Sequence, residues 1–213
     1  MWIHPVAKDE FLAGSKVAAK ILFDAIKQQR QTASTKTLTA LSQVGDFNSA
    51  GAEQVAYEVL AGSLIVLAHK IIDLHGAAPV KGGGALHFEA EINRVIREHP
   101  GARVKGKFSL ELKYCVGREV GGLPLGVIVQ GARNQYCHFG ELRRLNPINE
   151  LVFNHLKQLY PDAPWLNFDA KDGGRILAYT ATSAIYWTAD GNDGSSGFQR
   201  FCEDMSDIIG KSY

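Results

Sequence analysis

The chain has 213 residues, 46% of them hydrophobic and 21% charged, with a formal net charge of +1 at pH 7. This length suits one domain, or one domain with a helical extension, and the composition is that of a globular protein that buries a sizeable core. The near-zero charge excludes a strongly basic protein that coats DNA or RNA, although it leaves room for a small site of local positive charge.

The cysteines and the apolar runs indicate a cytosolic protein. Cys115, Cys137 and Cys202 are odd in number and widely spaced, and none has zinc-site spacing with another cysteine or a histidine. We expect reduced thiols that are buried or half-buried. The N-terminus lacks the pattern of a secretory signal, and the longest apolar run, residues 60–74, is too short and too polar to cross a bilayer. The sequence therefore predicts a soluble, cytoplasmic protein.

Apolar spacing predicts three helices in the first half of the chain. Residues 6–30 form an amphipathic helix, followed by a Thr-, Ser- and Gln-rich connection over 31–46 with one short helical turn at most. A second helix, about 49–74, is apolar over much of its circumference, as in the middle of a bundle. Residues 75–85 are rich in glycine and predict a loop before a third helix at about 86–98. The buried face of the first helix is expected to carry Phe11, Gly14, Ala18, Ile21, Leu22 and Ala25.

The second half is predicted to be mainly helical as well. Helices are expected over residues 125–142, 147–160 and 198–209, the second of them starting at an Asn-Pro pair. Residues 105–118 alternate apolar and polar side chains, which is strand spacing, yet a short helix fits the same segment. Residues 174–188 are likewise open between strand and helix.

The helix predicted over residues 125–142 carries the candidate site. Arg133 is followed directly by Asn134 and then by His138, which fits the pattern Arg-x(4–6)-His with a polar residue after the arginine. The bare pattern carries little information, since Arg94 and His99 match its spacing too. Position inside the clearest amphipathic helix is what distinguishes the first match from the second.

These residue types suit cleavage of RNA without a metal. On a helical wheel Asn134, His138 and Glu141 share the face opposite the predicted core stripe, and Arg133 lies at the edge of that face. A histidine takes the proton of the ribose 2′-OH or gives a proton to the leaving oxygen. A guanidinium binds the phosphate oxygens as negative charge builds on them in the transition state. Asn134, four residues before His138, is placed to orient its ring. One arginine and one histidine are half of an acid–base pair, which a two-fold dimer would complete.

Residues 133–139, Arg-Asn-Gln-Tyr-Cys-His-Phe, resemble the signature of the HEPN superfamily, found in toxin–antitoxin and antiviral ribonucleases. The following Leu-Asn-Pro at 145–147 and the helix after it are similar to the family's next helix. The resemblance implies a mainly α helical bundle of HEPN type, here with room for a minor β-hairpin, and it favours helix over 105–118. It also implies a cytoplasmic homodimer that cleaves RNA with neither metal nor organic cofactor.

The resemblance assigns residues and boundaries. Arg133, His138 and Asn134 are the expected catalytic group. The chain is expected to be one domain, with an N-terminal helical extension and connection at 1–47, a HEPN-like core at 48–161 and C-terminal helices at 162–213. An antitoxin or other regulatory partner is compatible with the family. However, toxins silenced by a nucleotidyltransferase carry a tyrosine two residues after the histidine, and that position is Gly140 here.

Several alternatives stay open. Glu141, Arg143 and Arg144 are candidates for binding the substrate, but a solvated face and helix-end charges explain them equally well. The bland interpretation of the site itself is a surface pair in which Arg133 binds Glu141 or Asp162. A second function is a non-catalytic HEPN-like module that binds RNA or a nucleotide, or docks a protein.

The third alternative is a metal-dependent nuclease. Glu111-Leu112-Lys113 resembles the Glu-x-Lys of such enzymes, but it lacks an aspartate at usable spacing between residues 76 and 110.

Overall fold

A computed structural model describes residues 5–40, 47–76, 83–98, 113–137, 147–159, 178–188 and 196–213. Within them the chain is mainly α, with seven helices and one two-stranded antiparallel sheet. The predicted mainly α fold with a minor β-hairpin is therefore confirmed. The elements are α1 (Pro5–Ala40), α2 (Phe47–His75), α3 (Gly83–Glu98), β1 (Glu119–Val120), β2 (Leu123–Pro124), α4 (Leu125–Cys137), α5 (Pro147–Leu159), α6 (Ala178–Ala184) and α7 (Gly197–Ile209).

The first helix is longer than its amphipathic pattern predicts. It continues to Ala40, so the prediction of a connection from residue 31 is wrong over 31–40. Thr and Ser are weak helix formers, but this stretch contains no glycine or proline to stop a helix. Residues 41–46 lie outside the described part of the chain.

The buried face of α1 is rotated by one residue from the predicted stripe, which is about 100° on a helix. Gly14 is exposed and Ile21 is 62% exposed, so the prediction that they are buried is wrong. Phe11, Ala18, Leu22 and Ala25 are half-buried at the edge of the face. The fully buried positions are Leu12, Ser15, Ala19, Phe23 and Ile26. The rotation places Phe23 against the aromatic rings of α7.

Helix α2 lies at the centre of the bundle and packs against α1, α4, α6 and α7. Its core side chains are Ala61, Leu64, Ile65, Ala68, Ile71 and Ile72, each with 0% of its surface exposed. Among the described residues one segment, 55–75, is long and apolar enough to cross a membrane by length and composition alone. The apolar stretch is thus longer than the run at 60–74. The core helix of a soluble protein passes the same test.

Helix α3 begins inside the predicted loop. Gly83, Gly84 and Ala85 belong to α3, and His75 belongs to α2, so the loop prediction is wrong at both ends. Residues 77–82 lie outside the described ranges. Glycine costs about 1 kcal/mol in a helix interior, but these two glycines stand in the first turn, where N–H groups have no intrahelical partner.

A hairpin leads into α4. Gly121 and Gly122 have φ values of 58° and 85°, as a two-residue type I′ turn requires, and they join β1 to β2. In the described part of the ambiguous segment 105–118, Lys113 is helical, as favoured, whereas the segment 114–118 before the hairpin is neither helix nor strand. Instead its carbonyl groups accept hydrogen bonds from the start of α4, at 3.0 Å from Val116 O to Gly126 N. Residues 105–112 are outside the described ranges.

The C-terminal elements are helical and closely tied to the hairpin. Residues 178–184 form α6, so the described part of the ambiguous segment 174–188 contains a helix and no strand. Helix α7 is capped by Ser196 at its start and by Gly210 at its end. Buried Asp204 on α7 accepts hydrogen bonds from Arg118 at 2.8 Å and from the Trp187 indole at 2.7 Å. This network holds the hairpin against the C-terminal helix.

Candidate functional site between α2 and α4

Helix α4 is buried on most of its circumference. Gly126 lies so close to the Tyr114 carbonyl that a Cβ there would overlap it, and Gly131 lies against Val152 of α5. The face predicted to be open is therefore closed at its beginning, where Val127 is 3% exposed. The reason is that α5 packs on this face. The side of α4 that solvent reaches is limited to its last two turns.

Arg133 and Asn134 stand on those last two turns, half-buried. The guanidinium Nη1 of Arg133 donates a hydrogen bond to Asn134 Oδ1 at 3.2 Å. The structure thus brings together two of the three expected catalytic residues. In the described part of the chain no carboxylate lies within salt-bridge distance of Arg133. Among the described residues, the side chain that holds the guanidinium is therefore a neutral amide.

The other predicted site residues lie outside the described residues. They are His138, Glu141, Arg143 and Arg144, and the same holds for Asp162, the alternative partner of Arg133. The orientation of His138 by Asn134 accordingly stays a prediction.

Arg133 belongs to a polar group on the seam between α2 and α4. Two members come from α2, two from residues 113–114 ahead of the hairpin and two from α4. We call this group the α2–α4 polar cluster; it consists of His69, Asp73, Lys113, Tyr114, Gln130 and Arg133. All of them are half-buried except Tyr114, which is buried. The cluster opens to solvent beside a tightly packed core.

His69 is held by Gln130 and Tyr114. Its Nε2 lies 2.6 Å from Gln130 Oε1, and its ring stacks on that of Tyr114 with 5.0 Å between centroids and 21° between planes. Because an amide oxygen only accepts hydrogen bonds, the proton of the neutral ring is on Nε2 and the lone pair is on Nδ1.

The surroundings of His69 favour its neutral form. Burial lowers the pKa of His69 below its ordinary value of 6.5, and the charges of Arg133 and Lys113 lower it further. The hydrogen bond to Gln130 and the charge of Asp73 act in the opposite direction but do not reverse the shift. At neutral pH the ring is therefore an uncharged imidazole beside a guanidinium.

Lys113 and Asp73 form the other end of the cluster. The ammonium Nζ donates to Asp73 Oδ1 and to the Asp73 carbonyl oxygen, both at 2.7 Å. The hydrogen bond and the charge of Lys113 hold the pKa of Asp73 below its ordinary value despite partial burial. Burial, together with the charge of Asp73, raises the pKa of Tyr114 to about 12, so its phenol stays protonated.

The contact between Lys113 and Asp73 bears on the metal-nuclease alternative. Asp73 lies near Lys113 in space and stands just before residues 76–110, which lack an aspartate at usable spacing. Glu111 is outside the described residues. Among the residues that the structure describes, no group of three or more His, Cys, Asp or Glu side chains is placed to hold a metal ion.

The sequence analysis missed His69, Gln130 and Tyr114. A signal for His69 was present, because His69 and Asp73 are polar residues four apart on a helix that is apolar almost all round. Gln130 is three residues before Arg133 and so shares its face. Tyr114 carried no such signal, since its place depends on the close approach of its backbone to Gly126.

The cysteines differ in exposure. Cys115 is buried, Cys202 is half-buried and Cys137 is exposed, so the expectation of buried or half-buried thiols is wrong for Cys137. Cys137 is the last residue of α4, one turn beyond Arg133.

Comparison with protein-family models, with curated proteins and with solved structures finds no match for this chain. The HEPN resemblance therefore rests on the signature at 133–139 and on the helix that follows it.

Proposed function

We propose that the chain is a metal-independent endoribonuclease of HEPN type that acts as a toxin or antiviral effector. Arg133 binds the phosphate and the transition state, His138 acts as general acid or base, and Asn134 positions its neighbours. RNA is the substrate, and the ribose 2′-OH is the nucleophile. A homodimer and a cytoplasmic location accompany this proposal, as in the resembling family.

One observation supports the proposal most directly. Arg133 is a half-buried cation that is fixed by Asn134 and has no carboxylate partner among the described residues. The acids of the bland interpretation, Glu141 and Asp162, lie outside the described residues, so the structure does not test that pairing. A half-buried guanidinium that is held by a neutral amide is suited to bind a phosphate through paired N–H donors.

The test is cleavage of total cellular RNA by the purified chain in excess EDTA. We expect wild-type protein to cleave, and Arg133→Ala and His138→Ala to lose about 100-fold or more in rate, the typical loss when one transition-state donor or acid–base group is removed. Arg94→Ala is the matched control. Arg94 belongs to the other match of the Arg-x(4–6)-His pattern, and it is exposed and paired with Glu98 at 3.1 Å. It should cleave at the wild-type rate.

Two other outcomes would point elsewhere. A folded wild type that binds RNA without cleaving it would favour the non-catalytic module. Cleavage that EDTA abolishes would favour a metal-dependent nuclease, and for this second candidate the contact between Lys113 and Asp73 is the favouring observation. Loss of cleavage in Asp73→Asn but not in Arg133→Ala would then identify it.

A further inference from the structure

We infer that a cavity between helix α1 and the start of α7 binds a small phosphate monoester with an aromatic body, such as a 5′-mononucleotide. The cavity has a volume of about 390 Å³, which lies in the usual range for pockets that hold small organic ligands. It shares no residue with the α2–α4 polar cluster. The inference therefore goes beyond the proposed ribonuclease function and does not depend on it.

One side of α1 forms the longer wall of the cavity. Its lining residues recur every three or four positions, which places them along one side of a helix. They are Lys20, Phe23, Asp24, Lys27, Arg30 and Gln31. The opposite wall consists of residues 187–188 and of residues 196–198 at the start of α7. A ligand in this cavity would thus contact two segments that are far apart in the sequence.

The apolar part of the lining is largely aromatic. The rings of Phe23 and Phe198 meet edge to face, with 5.8 Å between their centroids. The buried side chains of Trp187 and Ile26 line the cavity beside them. Phe198 is half-buried, so part of its ring is accessible to a ligand. A ligand with an aromatic ring suits this lining, because aromatic rings pack well edge to face or with an offset stack.

The charged part of the lining is mainly cationic. Lys20, Lys27 and Arg30 stand with one carboxylate, Asp24, so the lining carries a net charge of +2. Lys20 forms an exposed ion pair with Asp24, and its ammonium nitrogen lies 5.7 Å from the centroid of the Phe198 ring. A phosphate monoester carries a charge of about −1.5 to −2 at pH 7 and matches this excess. A carboxylate or an internal phosphodiester has a single negative charge and matches it less well.

The start of α7 adds backbone donors to the same cavity. Gly197 lies so close to Trp187 that a Cβ at position 197 would overlap the Trp187 carbonyl oxygen. The Ser196 hydroxyl accepts a hydrogen bond from Gln199 N at 3.1 Å. Within the described part of the chain, this cap leaves the N–H groups of Gly197 and Phe198 to a ligand. The positive end of the helix dipole favours an anion there, in agreement with the cations of α1.

Isothermal titration calorimetry of the full chain with AMP tests the assignment. AMP should bind more tightly than adenosine, which lacks the phosphate, and more tightly than inorganic phosphate, which lacks the aromatic body. Its affinity should fall as salt is added, because the charges at the opening are screened. The same monoester also occurs at the 5′ end of an RNA strand. A 5′-phosphorylated trinucleotide that binds more tightly than AMP would identify RNA ends as the source of the ligand, and the reverse order would identify the free nucleotide.

Two substitutions in α1 should change the affinity for AMP in opposite directions. Lys27→Gln removes a cation and should weaken binding by about tenfold, the usual effect of one hydrogen bond to a charged group. Asp24→Asn removes the carboxylate and should strengthen binding by about two- to fivefold. Both positions are exposed, and Asp24 loses only a surface pair with Lys20, so both variants should keep the wild-type circular dichroism spectrum. The control is Lys211→Gln, an exposed lysine bound to Asp9 at 2.9 Å outside the cavity, which should bind AMP like wild type.

The position of the ligand is measured by NMR. AMP should shift the backbone amide signals of Gly197 and Phe198 in wild type. Failure of AMP to bind at millimolar concentration would overturn the assignment, and so would equal affinities of wild type, Lys27→Gln and Asp24→Asn. Amide shifts that leave Gly197 and Phe198 unchanged would overturn it as well. None of these results depends on RNA cleavage at Arg133, so the failure of one proposal is distinguishable from the failure of the other.

Discussion

The ring of Tyr136 on α4 lies directly against Gly62 on α2, in the space that a Cβ at position 62 would occupy. This contact lets the two helices that carry the polar cluster approach closely. Gly62→Ala should therefore force the ring or the helix aside and lower the free energy of unfolding by about 1–3 kcal/mol, the usual cost of overpacking. Urea denaturation measures this change.

Gly14→Ala is the matched control for that substitution. Gly14 is also inside a helix, but a Cβ there meets no atom within 4 Å. Alanine should then raise the free energy of unfolding by about 0.5–1 kcal/mol, because glycine loses more backbone entropy on folding. Equal effects at both positions would contradict the close α2–α4 contact.

The ion pair between Arg118 and Asp204 should be important for stability. Asp204 is 3% exposed, and Arg118 also donates to the Ile185 carbonyl at 2.6 Å. Removal of the guanidinium by Arg118→Ala leaves a buried carboxylate with only the Trp187 indole, and we expect a loss of about 3–5 kcal/mol. Arg94→Ala, which breaks an exposed pair, should cost less than about 1 kcal/mol in the same denaturation experiment. If Arg118→Ala lowers the free energy of unfolding by less than about 1 kcal/mol, the network around Asp204 contributes little to stability.

Stability should fall with acidification through the titration of His69. Its pKa in the folded chain is below the unfolded value of 6.5, so the unfolded chain binds more protons in the interval between them. The contribution of neutral His69 is thus present above about pH 6.5 and is lost as the pH falls through that interval. Denaturation midpoints measured between about pH 7 and about pH 5 should decline less in His69→Gln than in wild type.

Among the described residues, His75 should contribute in the same direction, because burial and the charges of Lys211 and Lys8 lower its pKa. The variant that combines His69→Gln with His75→Gln should show a still flatter profile. An identical slope in wild type and His69→Gln would mean that His69 titrates alike in the folded and unfolded chain.

Modification of Cys137 should block the site. Its thiol is exposed one turn beyond Arg133, Cys115 is buried, and burial raises the pKa of the half-buried Cys202 thiol. A bulky maleimide should therefore react first at Cys137. The attached group should reduce RNA cleavage, because it would stand one turn from Arg133 on the solvent-exposed side of α4. Cys137→Ser should cleave normally and resist the reagent. Full labelling of Cys137 with no loss of activity would place the substrate elsewhere.

Much of the helical architecture follows from apolar spacing, and the errors have local causes. The central place of α2 and the start of α4 at residue 125 were predicted, because the apolar residues of these helices leave little choice. The extension of α1 to Ala40 was missed because Thr and Ser are weak helix formers but do not end a helix. The stripe of α1 was displaced by one residue because Ile21 is apolar yet exposed, and Phe11 is apolar yet only at the edge of the buried face.

The site was predictable only within one helix. Arg133 and Asn134 are neighbours in the sequence, and their contact follows from the helix itself. The pairing of Gln130 with His69, 61 residues away, depends on how α2 packs on α4. Gly62 lets α2 approach Tyr136 of α4, and Gly126 lets the backbone of Tyr114 approach α4; both roles are visible only when the opposing atoms are known.

The most direct measurement of the central claim is the chemistry of the RNA ends. A defined RNA oligonucleotide and its 2′-O-methylated counterpart are incubated in excess EDTA with wild type, Arg133→Ala and Arg94→Ala, and the products are identified by mass spectrometry. The account predicts 2′,3′-cyclic phosphate and 5′-hydroxyl ends from wild type and Arg94→Ala, and cleavage neither by Arg133→Ala nor of the methylated strand. Products with 5′-phosphate ends, or cleavage of the methylated strand, would contradict it.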